Sequence, residues 1–283
     1  MDRQNTSKLN QLEKLLPEGL LVDAAWLQKR GYYGQLRAQY VKHGWLTKLA
    51  PRVYSRPRGE LQWEHVVISL QSLLALPLAV GGRTALELQG YAHFLPHHER
   101  EVHLYGRRPP PSWLRDLPLS VRFVSHQSRR LFPDDPPTRG VTTLATPPAK
   151  PLPQGDPLPL RAGLALQHWG HWSWPLALST PERALLELVE ELPDRESFEH
   201  VDNLVGGLLN LRPAYLQQLL EDCKSVKVKR LFFFFADRHQ PSWLRHLDRA
   251  RVDLGKGKRM LVRGGKLDPV YQITVPETLH ALR

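Results

Sequence analysis

Leu9, Leu12, Leu15 and Leu16 recur at helical spacing behind Ser7, a residue able to cap a helix, until Pro17 and Gly19 break the pattern. A second helical pattern opens near Asp23, turns Ala24, Ala25 and Leu27 inward, and stops at Gly31 behind Lys29 and Arg30. The third spans Gly34 to His43 and ends at Gly44. It directs Leu36, Tyr40 and Val41 to a core and leaves Gln35, Arg37, Gln39 and Lys42 outside. Trp45 to Leu49 and Arg52 to Arg56 then alternate apolar with polar around Ala50 and Pro51, as the arms of a small hairpin do. This order predicts a winged helix-turn-helix over residues 1–60, closed by the break at Pro57, Arg58 and Gly59.

Beyond residue 60 the periods alternate. Trp63 to Leu76 is helical, Leu78 to Val80 a short strand, Arg83 to Gln89 a helix, and Glu101 to Tyr105 and Val121 to Ser125 are strands. Prolines crowd residues 133–159, which forbids a long helix or a central strand and predicts a surface excursion. Leu164 to Trp169 and Trp174 to Leu178 pair as a hairpin. Thr180 then caps a helix with Pro181 at its first position and Leu185, Leu186 and Val189 on its buried side. Helices follow at Ser197 to Leu208, Pro213 to Cys223 and Ser225 to Arg238, and strands at Lys258 to Val262 and Tyr271 to Val275. The expected class is α+β. A larger C-terminal domain, residues 61–283, begins as a mixed α/β sheet and becomes helix-rich.

Charge gives the first of these domains a partner. The chain of 283 residues carries a formal net charge of +11 and a pI near 9.9. Between Asp23 and Glu60 there is no carboxylate, while Lys29, Arg30, Arg37, Lys42, Lys48, Arg52, Arg56 and Arg58 are all cationic. Nothing local in sequence neutralises that field, so double-stranded DNA is the expected partner. Gln35, Arg37 and Gln39 are suited to base edges; Lys42, Lys48, Arg52, Arg56 and Arg58 are suited to phosphate. Of Tyr32 and Tyr33, at least one is expected in the core, and Tyr33 is a candidate DNA contact. A second basic region, with Lys224, Lys227, Lys229, Arg230, Lys256, Lys258 and Arg259, reads as a separate anion surface.

Other chemistry finds little support. Gly255-Lys256-Gly257-Lys258 lacks P-loop spacing. His168 with His171, and His97 with His98, lack further ligands, so neither a metal nor a cofactor is expected. Glu182, Glu187, Glu190 and Glu191 read as the solvated face of one helix. No catalytic residue set appears, and no enzyme activity is expected. The single cysteine, Cys223, excludes an internal disulfide and suits a reducing compartment. The polar N-terminus lacks a signal peptide's apolar core and the apolar runs are too short to span a bilayer, which predicts a cytoplasmic protein with no membrane contact.

Five stretches, in order, carry a resemblance. They are Gly44-Trp45-Leu46 leading to Arg52-Val53-Tyr54; Gly81-Gly82-Arg83-Thr84-Ala85-Leu86; and Ser179-Thr180-Pro181-Glu182-Arg183-Ala184-Leu185-Leu186-Glu187. Lys227-Val228-Lys229-Arg230-Leu231-Phe232 and the closing Gly264-Gly265-Lys266-Leu267-Asp268-Pro269 through Pro276 complete the set. Over nearly its whole length the chain resembles the AbiEi family, antitoxins and transcriptional regulators of type IV toxin-antitoxin systems. The resemblance implies a winged helix-turn-helix that represses its own operon at inverted repeats. It also implies a C-terminal domain that counters a nucleotidyltransferase-like toxin, without requiring direct contact. The alternatives are a protein-interaction antitoxin that binds its toxin through the basic C-terminal surface, and a stand-alone regulator. Ala50-Pro51 departs from the family at the wing, where a glycine-containing turn is expected.

Overall fold

A computed structural model describes residues 3–91, 100–132, 158–159, 163–170 and 172–280. Most of the proline-dense excursion, and the candidate ligands His97, His98 and His171, lie outside the described residues. The chain opens with α1 (Arg3–Leu15), β1 (Leu21–Asp23), α2 (Ala24–Lys29), α3 (Gly34–Lys42), β2 (Thr47–Ala50) and β3 (Val53–Ser55). Helix α1 starts ahead of Ser7, which therefore sits inside it and does not cap it. Asp23 does cap α2, accepting from the Trp26 amide at 2.7 Å. The inward residue is Trp26, not Ala25, because its indole reaches the Leu73 carbonyl at 2.9 Å and buries far more apolar surface. Strand β1 is too short for a period to reveal. It exists because β3 pairs with it, Leu21 opposite Ser55, giving an antiparallel sheet of order β1-β3-β2.

After α4 (Trp63–Ile68) the expected long helix widens into a π-helical stretch, Ser69–Leu73. Then come β4 (Leu78–Val80), α5 (Gly82–Leu88), β5 (Arg100–Gly106), β6 (Val121–Gln127), β7 (Leu158–Pro159), β8 (Leu164–Trp169) and β9 (Trp174–Ser179). These strands form one mixed sheet of order β6-β5-β4-β9-β8-β7. Helices α6 (Pro181–Glu190), α7 (Phe198–Gly207), α8 (Pro213–Asp222) and α9 (Val226–His239) follow, then β10 (Lys266–Asp268), β11 (Ile273–Val275) and α10 (Glu277–His280). The expected strand at Lys258 to Val262 reduces to one bridge, Arg259 to Ile273, because Thr274 Oγ1 accepts the Leu261 and Val262 amides and turns the chain away. Helix α9 is buried on every side from Leu231 to Ala236, and one apolar cluster runs from Leu12 to Leu279.

Much of the expected acidic face of α6 lies inside the protein. Glu182, Arg183 and Glu187 are each at most 1% exposed. Arg183 Nε donates to Glu187 Oε1 at 2.7 Å, and the Gly82 amide donates to Glu187 Oε2 at 2.9 Å. A side chain at Gly81 would strike the Glu187 carboxylate and the Tyr105 ring, so the glycine pair lets the end of β4 approach α6. Burial pushes the Glu187 carboxyl upward while Arg183 opposes the shift. Glu182 is held below its ordinary value although burial pushes it up, because Arg212 donates to it through Nε and Nη2, each at 2.9 Å.

Beside this pair runs a wire of two histidines. His126 Nδ1 lies 3.0 Å from Glu191 Oε1, and His126 Nε2 lies 3.0 Å from His103 Nδ1, so a proton is shared between the two rings. His103 Nε2 has no hydrogen bond among the described residues and lies 3.6 Å from Glu101 Oε2. Burial, and after it the charges of His126 and Arg83, lower His103 to about 4. Neither described cleft is lined by these histidines: one is bounded by Ala75, Leu78 and Arg107, the other by Gln89, Gln167 and Arg212.

Two outcomes follow from these buried groups. Arg183→Leu, which leaves Glu187 buried and unpaired, lowers stability by about 3–5 kcal/mol in urea denaturation, whereas Arg183→Leu with Glu187→Leu costs clearly less. The unfolded state takes up the His103 proton near the ordinary 6.5 and the folded state only near 4. That stability is whole above 6.5 and declines by about 3 kcal/mol as pH falls to 4. His103→Asn flattens this part of the pH profile, read from denaturation midpoints.

Candidate nucleic-acid interface

Helix α3 divides its residues by solvent. Gln35, Gln39 and Lys42, with Ala38, are exposed and recur at i, i+4 and i+7, one stripe along the helix. Tyr40 is fully buried, and its ring meets Trp45 edge-on at 5.2 Å. The two tyrosines before α3 separate. Tyr32 is 1% exposed and its hydroxyl donates to the Lys8 carbonyl at 2.9 Å, while Tyr33 is 61% exposed at the start of the helix.

Arg37 does not join the outer stripe. Its Nη1 donates to the Tyr32 carbonyl at 2.8 Å and the Ala24 carbonyl at 3.4 Å, and its guanidinium lies 5.7 Å from the Tyr54 ring centroid. This arginine ties the start of α3 to α2 and to β3. Sequence position alone cannot reveal such a turn inward, because a long side chain reaches well past the face on which its Cα sits.

The hairpin sorts its cations the same way. Arg56 Nη1 donates to the carbonyls of Glu13 and Leu16 at 3.3 and 3.2 Å, at the end of α1, and its Nη2 reaches Glu13 and Glu18 carboxylates at 3.4 and 3.2 Å. Arg58 lies 3.9 Å from Glu18 and 5.3 Å from the centroid of the Trp172 ring. Acids before residue 20 therefore neutralise the far end of the acid-free stretch. Lys42, Lys48 and Arg52 are exposed and have no ion pair among the described residues.

Arg52 carries a further mark. The β2–β3 turn is Pro51-Arg52, and Arg52 has φ 64°, the left-handed region that a glycine normally fills in a turn with proline before it. The glycine missed in the sequence at Ala50-Pro51 is thus replaced one position later by a strained arginine. Its carbonyl accepts from the Ala24 amide at 2.8 Å, holding the turn against α2.

The second basic region is divided between the interior and the surface. Lys227 Nζ donates to the carbonyls of Glu190 and Leu192 at 2.5 and 3.0 Å, and Lys229 and Arg230 are 6% and 3% exposed. Lys224, Lys256, Lys258 and Arg259 remain on the surface. The apolar period of α9 continues through Val228 to Leu231 and draws the basic residues between them into the core. His168 Nδ1 bonds the Ser173 carbonyl at 2.8 Å, and among the described residues no cluster of three or more His, Cys, Asp or Glu could hold a metal. Among those residues no helix is long and apolar enough to cross a membrane. Burial raises the Cys223 thiol to about 11, which makes it unreactive.

Helix and strand are mixed throughout, and exposed basic residues of α3 and the β2–β3 hairpin sit near one end of the chain. A family model described as "Transcriptional regulator, AbiEi antitoxin N-terminal domain" matches residues 5–97, and one described as "Transcriptional regulator, AbiEi antitoxin, Type IV TA system" matches residues 165–276. The chain belongs to the AbiEi family of type IV toxin-antitoxin transcriptional regulators. Its fold is similar to that in "Crystal structure of RV2827C protein from Mycobacterium tuberculosis", with a TM-score of 0.51 and 16% identity over 96% of this chain and 92% of that one. No curated protein sequence matches it.

The strain at Arg52 is separable from the charge there. Arg52→Gly holds or raises stability, by up to about 1 kcal/mol, since glycine enters the left-handed region freely. The denaturant midpoint checks this, and a loss of stability would show that the arginine is structural.

Proposed function

We propose that residues 1–60 form a winged helix-turn-helix that binds duplex DNA, with α3 in the major groove and the β2–β3 hairpin as the wing. The protein acts in the cytoplasm as repressor of its own operon, at inverted repeats, and residues 61–283 serve to counter a nucleotidyltransferase-like toxin. The observation that carries the DNA reading is the exposed stripe of Gln35, Gln39 and Lys42 on α3, together with unpaired Lys48 and Arg52 on the hairpin. Amides can bond adenine edges in pairs, and cations without protein partners are free to displace counterions from phosphate. Tyr33 adds a hydroxyl within the same exposed segment.

In this reading Arg37 positions α3 and Arg56 fastens α1, so neither reads sequence. The contacting set contracts to Tyr33, Gln35, Gln39, Lys42, Lys48 and Arg52, with Arg58 at its margin. The AbiEi family membership supports both the DNA partner and the toxin.

Fluorescence anisotropy on duplexes from the protein's own upstream region and on scrambled duplexes, across several salt concentrations, tests the reading. Gln35→Ala and Gln39→Ala each weaken the specific duplex by about 1–3 kcal/mol and leave the scrambled one alone. Lys48→Ala and Arg52→Gly weaken both alike and each lowers the salt slope by about 1. If the upstream duplex is bound no better than the scrambled one, the repressor reading fails; if all four variants bind like the wild type, this face is not the interface.

A further inference from the structure

A second acid-free run, from Leu254 to Leu267, lies against the first turns of α9. Its backbone is held from beneath. Arg230 donates from Nε to the Leu254 carbonyl at 2.6 Å, and from Nη1 to the carbonyls of Gly257 at 2.6 Å and Gln272 at 3.4 Å. Gly255 and Gly257 take φ of 61° and 79°, and the Asp253 carboxylate accepts the Gly255 amide at 2.8 Å. Arg259 is laced to β11 through the Gln272 carbonyl and the Thr274 amide, at 2.8 and 3.0 Å. The loop is a preformed shape, so binding to it orders little chain.

What this shape presents is charge without a counter-charge. Lys256, Lys258, Arg259 and Arg263 are exposed and have no ion pair among the described residues, whereas Lys266 at the end of the run pairs with Glu277 at 2.6 Å. Beneath them Arg230 is 3% exposed and is satisfied by main-chain carbonyls; among the described residues no carboxylate stands within ion-pair distance of it. Burial, and after it the neighbouring Arg259, hold the Arg230 guanidinium below its ordinary value, while the Asp253 carboxylate opposes the shift. Each of these charges gains from an anion brought from outside.

The loop also displays an apolar group. Met260 is 77% exposed between Arg259 and Leu261. A phosphate backbone gives a methionine no apolar surface to cover it, whereas methionine beside arginine is a composition favoured where proteins meet proteins. We propose that the Gly255–Lys266 loop docks an acidic protein segment, whose carboxylates meet Lys256, Lys258, Arg259 and Arg263 and which lays an apolar side chain on Met260. The proposal does not rest on the DNA reading.

The test uses the full chain and a fluorescein-labelled peptide alternating Glu, Asp and Leu, the same peptide with Ser for Leu, and a random-sequence DNA duplex. Lys258→Gln with Arg259→Gln lowers affinity for the leucine peptide about tenfold or more, and Met260→Ser lowers it about threefold or more, with the duplex and the unfolding midpoint unchanged in both. The serine peptide binds more weakly and is indifferent to Met260→Ser. No binding of the leucine peptide at low salt overturns the proposal. Equal binding of the two peptides removes the role of Met260, and with it the argument for a protein partner. Loss of duplex affinity in the charge variant, with peptide affinity kept, assigns the loop to nucleic acid instead.

Discussion

A guanidinium and a carboxylate with no access to water hold the centre of this protein. Arg183 and Glu187 lie on one turn of α6, and the pair is tolerable only because the remaining carboxylate oxygen takes the Gly82 amide and the surrounding chain closes tightly. That closure demands glycine at position 81 and seats Tyr105 and the two stacked histidines beside it. From there constraint passes outward along the sheet. Gln71 binds both the amide and the carbonyl of Ala177 at 2.9 Å, anchoring the π-helical stretch to β9. The same stretch receives the Leu21 amide on Ser69 Oγ and the Trp26 indole on the Leu73 carbonyl, so the N-terminal elements are oriented by a chain of buried polar contacts.

Positive charge is the second organising quantity, and the fold divides it. Some cations fasten backbone: Arg37 to α2, Arg56 to the end of α1, Arg230 under the basic loop, Lys227 to the end of α6. Others are exposed and have no ion pair among the described residues: Lys42, Lys48 and Arg52 near one end of the chain, Lys256, Lys258, Arg259 and Arg263 near the other. Arg37 and Arg230, bound to carbonyls, still carry their charge and add to the field in which the second set acts, whereas Arg56 is offset by Glu13 and Glu18 and Lys227 by Glu190.

Long periodic segments were legible, as was the short strand Leu78–Val80, whereas β1 and the buried charges of α6 were not. The helices from Pro181, Pro213 and Val226 and the hairpin of β8 and β9 lie within a residue or two of their expected bounds, because their apolar periods run long enough to be unambiguous. Strand β1, three residues between two helices, has no period of its own and forms only through β3. The glutamates of α6 misled for a different reason. Charge predicts exposure unless a partner is known, and the partners of Glu187 and Glu182 are Arg183, four residues away on the same helix, and Gly82 and Arg212, 105 and 30 residues away. In the interface, the stripe of Gln35, Gln39 and Lys42 could be read from helical spacing, whereas the inward turn of Arg37 could not.

Composition and local pattern by themselves determined an α+β chain, a strong positive charge and the helix that bears the outward amides, while the family came from the resemblance of five ordered stretches. Those are properties of neighbours along the chain, and neighbours are what spacing records. Only the tertiary structure decided which cations are free, since that depends on whether a carboxylate or a carbonyl from elsewhere comes within reach. Glu13 and Glu18 approach Arg56 across the packing of α1 against the hairpin, and the Arg52 backbone takes a conformation that the pairing of β2 with β3 imposes. The acid-free stretch was visible as a sequence of letters; its division into fastened and available charge is a consequence of folding, because electrostatic pairing acts over ångströms in space whatever the distance along the chain.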